Sequence, residues 1–511
     1  MVEGLSTKPT CGSDDLAYKE SLGTRKPRTR WLYGLGGWGP LRSWRVHNAD
    51  IKTLARGLLE RVILQKNEDV WTKPIRPAHG HLFRELMPFW MQVRGRFTSL
   101  TPIALDDFPS LYTGQKKANY ERARESLNVR ALNRDDSRIK VFVKAEKLDI
   151  TSKPDPAPRV IQPRDIRFNL VFGTFIRPLE HVAYGVFNQL FGGRSIAKGT
   201  TVEDVGQMMY DKWSVFQHPC FIGLDASRFS QCVSKEARLF VQQIYKRAYP
   251  SDKTLRWCCS QTLANRGTAR TWDGFLSYFV DGTLSDGDMD TSLVGNTLSS
   301  AMLYCWMRRV GIKCYRVIIN GDDCGVFIDR SDIRRFTTGL AEWYLSLGFK
   351  MKVEKPVFEL EHVEFCQSHP IFDGERWIMV RRFPNAISKQ CRSLVALKTP
   401  EDFDLYWSCV GEGGLSITGG IPCFQDFFRS LIRKKASKFF QGAIEGVWSP
   451  HLLLDRVYRE PLPMARYSFW RAFGYTPDEQ IAIESYYRRS LYEYNVPTPV
   501  DSVTSRPYSL I

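Results

Sequence analysis

The chain has 511 residues and carries 72 Lys and Arg against 55 Asp and Glu, a formal net charge of +17. That surplus favours a polyanionic partner, nucleic acid or an anionic membrane face, while 13% aromatic and 43% hydrophobic residues exclude a wholly disordered basic protein. Twelve scattered cysteines with no CxxC and no Cys/His cluster at zinc spacing make free thiols in a reducing compartment the expectation.

Residues 1 to 45, rich in Gly, Pro, Arg and Trp, read as an extended arm, and the polar start Met1 to Thr10 has no signal-peptide core. Apolar residues at helical spacing from Ile51 to Gln65 predict a helix capped by Asn48 or Asp50. Lys144, Lys147, Lys153, Arg159, Arg164 and Arg167 form a basic series stiffened by Pro154, Pro156 and Pro158, suited to binding phosphates, although a solvated basic face is the plainer reading of any one residue. The apolar stretch Asn169 to Gly192 is interrupted by Arg177, Glu180 and His181. With no uninterrupted apolar run of about 18 residues, no membrane-spanning helix is expected.

Cys220 to Asp225 reads as an apolar strand ending in a carboxylate, followed by a helix over Ser234 to Tyr249. A polar loop, Gly282 to Thr291, then leads into a helix over Ser292 to Arg309, where the Asn296 amide is placed to meet a sugar hydroxyl. Arg316 to Ile328 is two β-branched runs around Asn320-Gly321-Asp322-Asp323, a hairpin with adjacent carboxylates at its tip. Ser331 or Asp332 caps a helix running to Gly348, and Lys350 to Phe358 is strand-like. Helical runs near Phe424 to Lys435 and Asp478 to Tyr492 follow, then a loose Pro- and Ser-rich tail from Val496. There is no internal repeat.

A carboxylate pair on a rigid turn supplies the oxygen ligands that Mg²⁺ prefers, although an isolated Asp-Asp turn is often merely solvated. Asp225 joined to Asp322 and Asp323 could hold two divalent ions, the clamp that phosphoryl transfer requires.

Taken together, these motifs resemble the RNA-dependent RNA polymerases of positive-strand RNA viruses, in particular the tombusvirus family and its umbravirus-like relatives. Phe142-Val143-Lys144-Ala145-Glu146-Lys147 and the segment Lys153 to Arg164 resemble the basic finger motif. Leu224 to Phe229 resembles the first palm motif and Gly321-Asp322-Asp323 the third. Phe349 to Glu354 and Glu364 to Gln367 resemble the two that follow, and Tyr112 to Lys117 with Tyr120 is similar to the motif that admits template. The likeness runs from about residue 105 to 370, with a weaker match over Val46 to Arg61.

The resemblance implies an α+β right-hand polymerase fold with an antiparallel palm sheet. It would comprise an N-terminal arm (1–45), fingers (46–215), a palm (216–384, with a fingers return near 245–280), a thumb (385–495) and a flexible tail (496–511). It implies Asp225, Asp322 and Asp323 as ligands of Mg²⁺ or Mn²⁺, and Lys350 or Lys352 as proton donor to pyrophosphate. Lys144, Lys147, Arg159, Ser230, Gly287, Thr291 and Asn296 would bind nucleotide. Tyr112, Gly114, Lys116, Lys117, Arg164, Phe365, Cys366 and Gln367 would contact RNA. The implied partners are single-stranded RNA template, nascent RNA, nucleoside triphosphates and a viral companion replication protein. The implied place is the host cytoplasm, at replication complexes whose membrane contact is peripheral or indirect.

Two departures stand out. The family carries a second Asp after four residues intervening from the first, where this chain has Ser230. The second palm motif reads Ser-Gly-Asp in the family; here Asp286 separates Ser285 from Gly287, and Thr291 to Asn296 is one residue longer. Both fall at ribose selection, so the expectation is nucleotidyl transfer with relaxed sugar discrimination or reduced rate. The rival readings are a catalytically impaired palm protein that binds RNA or assembles a replication complex, and a reverse transcriptase, against which the finger motif argues.

Overall fold

The strands that read as continuous apolar runs do so because both faces of their sheet are covered. In this computed structural model, which describes residues 1–13, 16–35, 38–39, 42–435 and 454–492, the central sheet has four antiparallel strands. Their order is Arg316–Asn320, Asp323–Asp329, Pro219–Ala226 and Met351–Val353. Ile222, Leu224, Ile319, Cys324 and Val326 point to one face, into a core shared with the helices Lys235–Ala248, Thr291–Val310 and Leu340–Ser346. Phe221, Ile318 and Phe327 point to the other, against Met208 and Met209 of the helix Val202–Trp213 and against Phe365.

A second four-stranded sheet is ordered Tyr18–Leu22, Gly274–Asp281, Ala264–Thr271, Ile139–Lys140. It packs on the helix Ile51–Leu58, which Asp50 caps by accepting the Thr53 amide. The C-terminal part packs Pro400–Thr418, Phe424–Ser430, Pro463–Phe473 and Pro477–Arg489 around an aromatic-rich core. No helix among the described residues is long and apolar enough to cross a membrane. No disulfide is formed among the described residues.

Three local expectations change. The first 45 residues are extended but not free: Val2–Glu3 pairs with Trp31–Gly34, which also pairs with Arg392–Ser393. Trp38 is buried among Tyr486, Tyr487 and Tyr492, and the Tyr487 hydroxyl donates to its carbonyl at 3.1 Å. The helix expected up to Gly348 is broken at Gly339, whose φ of +79° splits it into Ile333–Thr337 and Leu340–Ser346, and Asp329 is the residue that caps its first turn. The strand expected over Lys350 to Phe358 stops at Val353, beyond which only Val357 bridges to Phe221. The tail from Val496 lies outside the described residues.

Candidate active site

The hairpin forms as its residue types dictate, with Gly321 and Asp322 as the two-residue turn and Gly321 at φ +75°. Strand register then sets the carboxylates. Asp225 stands directly opposite Asp323 on one side and Lys352 on the other. Residues directly opposite share a face, so Asp323, Asp225 and Lys352 form one row across the sheet. Lys350 lies further along, its carbonyl accepting the Ser227 amide at 3.0 Å.

The helix Thr291–Val310 grips the turn from behind. The Gly321 amide donates to Asn296 Oδ1 at 2.9 Å, and Ser299 Oγ donates to the Gly321 carbonyl at 2.7 Å. Gly295 permits this approach: a Cβ there would stand 3.1 Å from Gly321 Cα. On the other side, the turn Phe365–Ser368 holds Cys366 and Gln367 at φ +51° and +59°, a conformation that side chains rarely adopt. From it the Cys366 amide donates to Asp323 Oδ2 at 2.9 Å.

Asp225 and Asp322 line one cavity of about 560 Å³ together with Arg61, Arg159, Lys198, Arg228, Ser230, Asp286 and Thr291. Like charges crowd together in and beside this cavity. Burial, with the charges of Asp286 and Asp225, pushes the Asp322 carboxyl upward. Burial, with Asp322 and Glu354, pushes Asp323 up to about 6. Crowded, desolvated carboxylates are relieved by a cation. The cationic wall is the mirror case. Burial and the neighbouring Arg159 and Arg228 lower Arg61 to about 10, and burial together with Arg61, Arg228 and Arg159 lowers Lys153. Arg228 is held at φ +52°, and its Nη1 is buried without a hydrogen-bond partner. Arg159, also lining the cavity, lies 3.6 Å from Glu146.

Among the described residues no three acidic, histidine or cysteine side chains already converge on one ion position. The donor set nevertheless fits hard divalent cations: oxygen ligands only, at a strand end and on a tight turn, where burial and then neighbouring negative charge push the Asp322 and Asp323 carboxyls upward.

Several expected site residues sit elsewhere. Arg164, assigned to RNA contact, is buried with its guanidinium bonded to Asp288 (2.7 Å), the Ser137 carbonyl (2.6 Å) and Asn265 (2.5 Å). Asp288 faces Arg238, which pairs with Asp290, and Tyr245 donates to Asp290 at 2.9 Å, so a buried ionic cluster underlies the loop. Asn296, expected at a sugar hydroxyl, is buried and engaged with Gly321, Ser292 and Tyr184. Phe365 is a core residue. Lys147 donates to the Lys389 carbonyl and lines, with Gln367 and Arg382, a separate polar cavity of about 370 Å³ that shares Arg159 with the first. Lys144 pairs with Glu146 at 3.5 Å.

Gly287 is at φ +134°, a Cβ there would stand 3.0 Å from the Pro163 nitrogen, and the Thr291 hydroxyl donates to the Asp288 carbonyl at 2.8 Å. Tyr112 stacks on Tyr120 and carries Lys116 over its ring at 4.4 Å, at the start of the helix Gly114–Val129, with Lys117 near Glu121. None of these four, Tyr112, Gly114, Lys116 or Lys117, lines the cavity of the carboxylates. Arg61, Lys198 and Arg228 were missed. Arg228 had a signal, since it follows Asp225 by three residues inside the strand-end motif, whereas Arg61 and Lys198 arrive from distant segments.

Comparison with known proteins gives the family of the chain. The sequence model of the family described as Viral RNA dependent RNA polymerase matches residues 20–494. The chain belongs to that family. It is 38% identical over 482 residues to the RNA-directed RNA polymerase of tobacco necrosis virus (strain A), covering 94% of this chain and 66% of that protein. It is 36% identical over 477 residues to that of turnip crinkle virus (90% and 60%). With that of groundnut rosette virus (strain MC1) it shares 37% over 497 residues (94% and 56%). The chain therefore spans between about half and two thirds of the length of these relatives.

The raised carboxyls give a pH dependence with a definite sign. The folded chain binds the Asp323 proton more tightly than the unfolded chain, so this group makes the unliganded protein less stable as pH rises from 3.8 to about 6. A cation must displace that proton. The rise in Tm produced by Mn²⁺ is expected to be large at pH 7.5 and mostly lost at pH 5; a rise indifferent to pH would contradict the assignment of Asp323.

Proposed function

We propose that this chain is an RNA-directed RNA polymerase of a positive-strand RNA virus, joining ribonucleotides on a single-stranded RNA template. The observation that carries the proposal is one cavity in which carboxylates at a strand end and a hairpin tip face a wall of mutually repelling arginines. On this reading the central sheet is the palm, the Tyr18–Leu22 and 264–281 strands with helix Ile51–Leu58 belong to the fingers, and the helices beyond Pro400 form the thumb.

The steps assigned to the chain's own residues are binding, orientation and proton handling. Arg61, Arg159 and Arg228 hold the triphosphate, Arg159 bidentately where Glu146 leaves its outer edge free. Asp225, Asp322 and Asp323 would hold Mg²⁺ or Mn²⁺, which supply neutralisation of the developing phosphoryl charge and of the leaving pyrophosphate. Lys352, in register with Asp225, is better placed than Lys350 to give pyrophosphate a proton. The Asn296 and Ser299 grip on Gly321 fixes where the hairpin carboxylates stand. A host cytoplasmic location, a companion viral protein and indirect membrane contact belong to the same proposal.

The test is synthesis by the purified chain on a short RNA template with Mg²⁺ or Mn²⁺, yielding template-length product sensitive to ribonuclease. Absence of product with either metal, despite RNA binding that weakens with salt, would favour the reading as an RNA-binding assembly factor. Removing the Ser299 hydroxyl should cost about 1 kcal/mol of stability yet lower synthesis about tenfold, because a small displacement of the turn misplaces both carboxylates. A loss of synthesis no larger than the loss of folded protein would deny Ser299 that positioning role.

A further inference from the structure

The two departures from the family pattern meet in space. Ser230 Oγ donates to Asp286 Oδ1 at 2.6 Å, although the residues are 56 apart in sequence. Ser230 stands where the family carries its second Asp, and Asp286 is the residue inserted into the second palm motif. The carboxylate absent from one segment is returned by the other.

The pair is held from three directions. The Leu284 amide donates to the Ser230 carbonyl at 2.9 Å and the Thr283 amide to the Val233 carbonyl at 2.8 Å, locking the two loops together. The Gln162 amide donates to the Asp286 carbonyl at 2.7 Å, tying that loop to the end of the strand Val160–Ile161 that follows Arg159. Both side chains line the cavity that Arg61, Arg159, Arg228 and Asp322 also line. The remaining lone pairs of the Asp286 carboxylate can accept a hydroxyl proton, and the Ser230 oxygen can take a second. Asn296, the other side chain expected at the sugar, is engaged with Gly321.

Resting on the polymerase reading, we infer that Asp286, oriented by Ser230, is the sugar-selecting residue of this chain: it accepts a hydrogen bond from the ribose 2′-hydroxyl and restores discrimination against deoxyribonucleotides. A site built to bond a hydroxyl rejects an analogue lacking it strongly, since the polar group is then left unpaired in a filled cavity.

The experiment compares kcat/KM for one ribonucleoside triphosphate and its 2′-deoxy counterpart, in the wild-type chain, Asp286→Ala, Asp286→Asn and the exchange Ser230→Asp with Asp286→Ser. The wild type should prefer the ribonucleotide at least about a hundredfold. Either single substitution should reduce that preference at least tenfold, and the exchange should return it to within about threefold of wild type, which a merely structural role would not do. Asp286→Asn keeps size and backbone contacts, so it serves should the alanine variant not fold. A ratio moved by less than twofold in both single variants, or a wild type with less than fivefold preference, overturns the inference while leaving the polymerase intact. Failure of the wild type to incorporate any ribonucleotide would overturn the polymerase reading and this inference with it.

Discussion

Asp322→Ala is expected to lower template-directed RNA synthesis by on the order of 10³-fold or more, while RNA binding and thermal stability stay close to wild type. The residue sits on a two-residue turn, one of three carboxylates proposed to hold the cations, so its loss would remove a ligand of the positive charge that the transferring phosphoryl group requires nearby. It contributes no packing to the strands behind it. Because the carboxyl is raised in the unliganded protein, its removal should even spare the fold some repulsion. Synthesis measured beside RNA affinity and Tm separates the outcomes. A variant that retains a tenth of wild-type synthesis would remove Asp322 from the metal set and revive the assembly-factor reading.

Asp288→Ala should have the opposite signature, a loss of stability of about 3–5 kcal/mol, because two buried guanidiniums would lose their shared counter-charge. Arg164 and Arg238 are each 1% exposed at the side chain and Asp288 2%, so water cannot replace the carboxylate. The same logic predicts that Arg164→Ala destabilises the chain without altering how RNA binding falls with salt. Arg159→Ala should leave stability nearly unchanged and flatten that salt dependence by about one unit of slope, if Arg159 meets a phosphate. Urea unfolding and salt titration of RNA binding decide between them. A change below about 1 kcal/mol for Asp288→Ala would mean that the cluster relaxes to admit solvent.

These two residues show where the sequence was readable. The Asp322 hairpin was legible because everything that shapes it lies within thirteen consecutive residues: β-branched runs, a glycine at the turn and polar residues at the tip. Asp225 was legible for the same reason, as the end of an apolar strand. Arg164 was not. Its series of basic residues looked like a phosphate-binding face, and only the fold brings Asp288, 124 residues away, onto its guanidinium. Asn296 failed similarly, since a helix position facing a sugar and one facing a glycine amide differ by rotation that periodicity does not resolve. Ser230 and Asp286 read as two separate defects because their hydrogen bond joins loops that the sequence keeps apart. Local residue patterns thus located the hairpin and the strand end, whereas the contacts of individual polar residues depended on long-range pairing.

The N-terminal segment carries a consequence for how the molecule comes together in time. Its strand Trp31–Gly34 finds a partner at Arg392–Ser393, and the Trp38 carbonyl receives a hydroxyl from a residue 449 positions later. During synthesis the segment must therefore wait, its strand edge and indole unpartnered, until nearly all of the described chain has emerged. Contacts of such separation carry a large closure cost and form late. The central sheet can be assembled before that point, since its strands span only 219 to 353. Closure of the ends would then be the last event of folding, and a nascent or truncated chain would hold its carboxylates in place without the tie between its two ends.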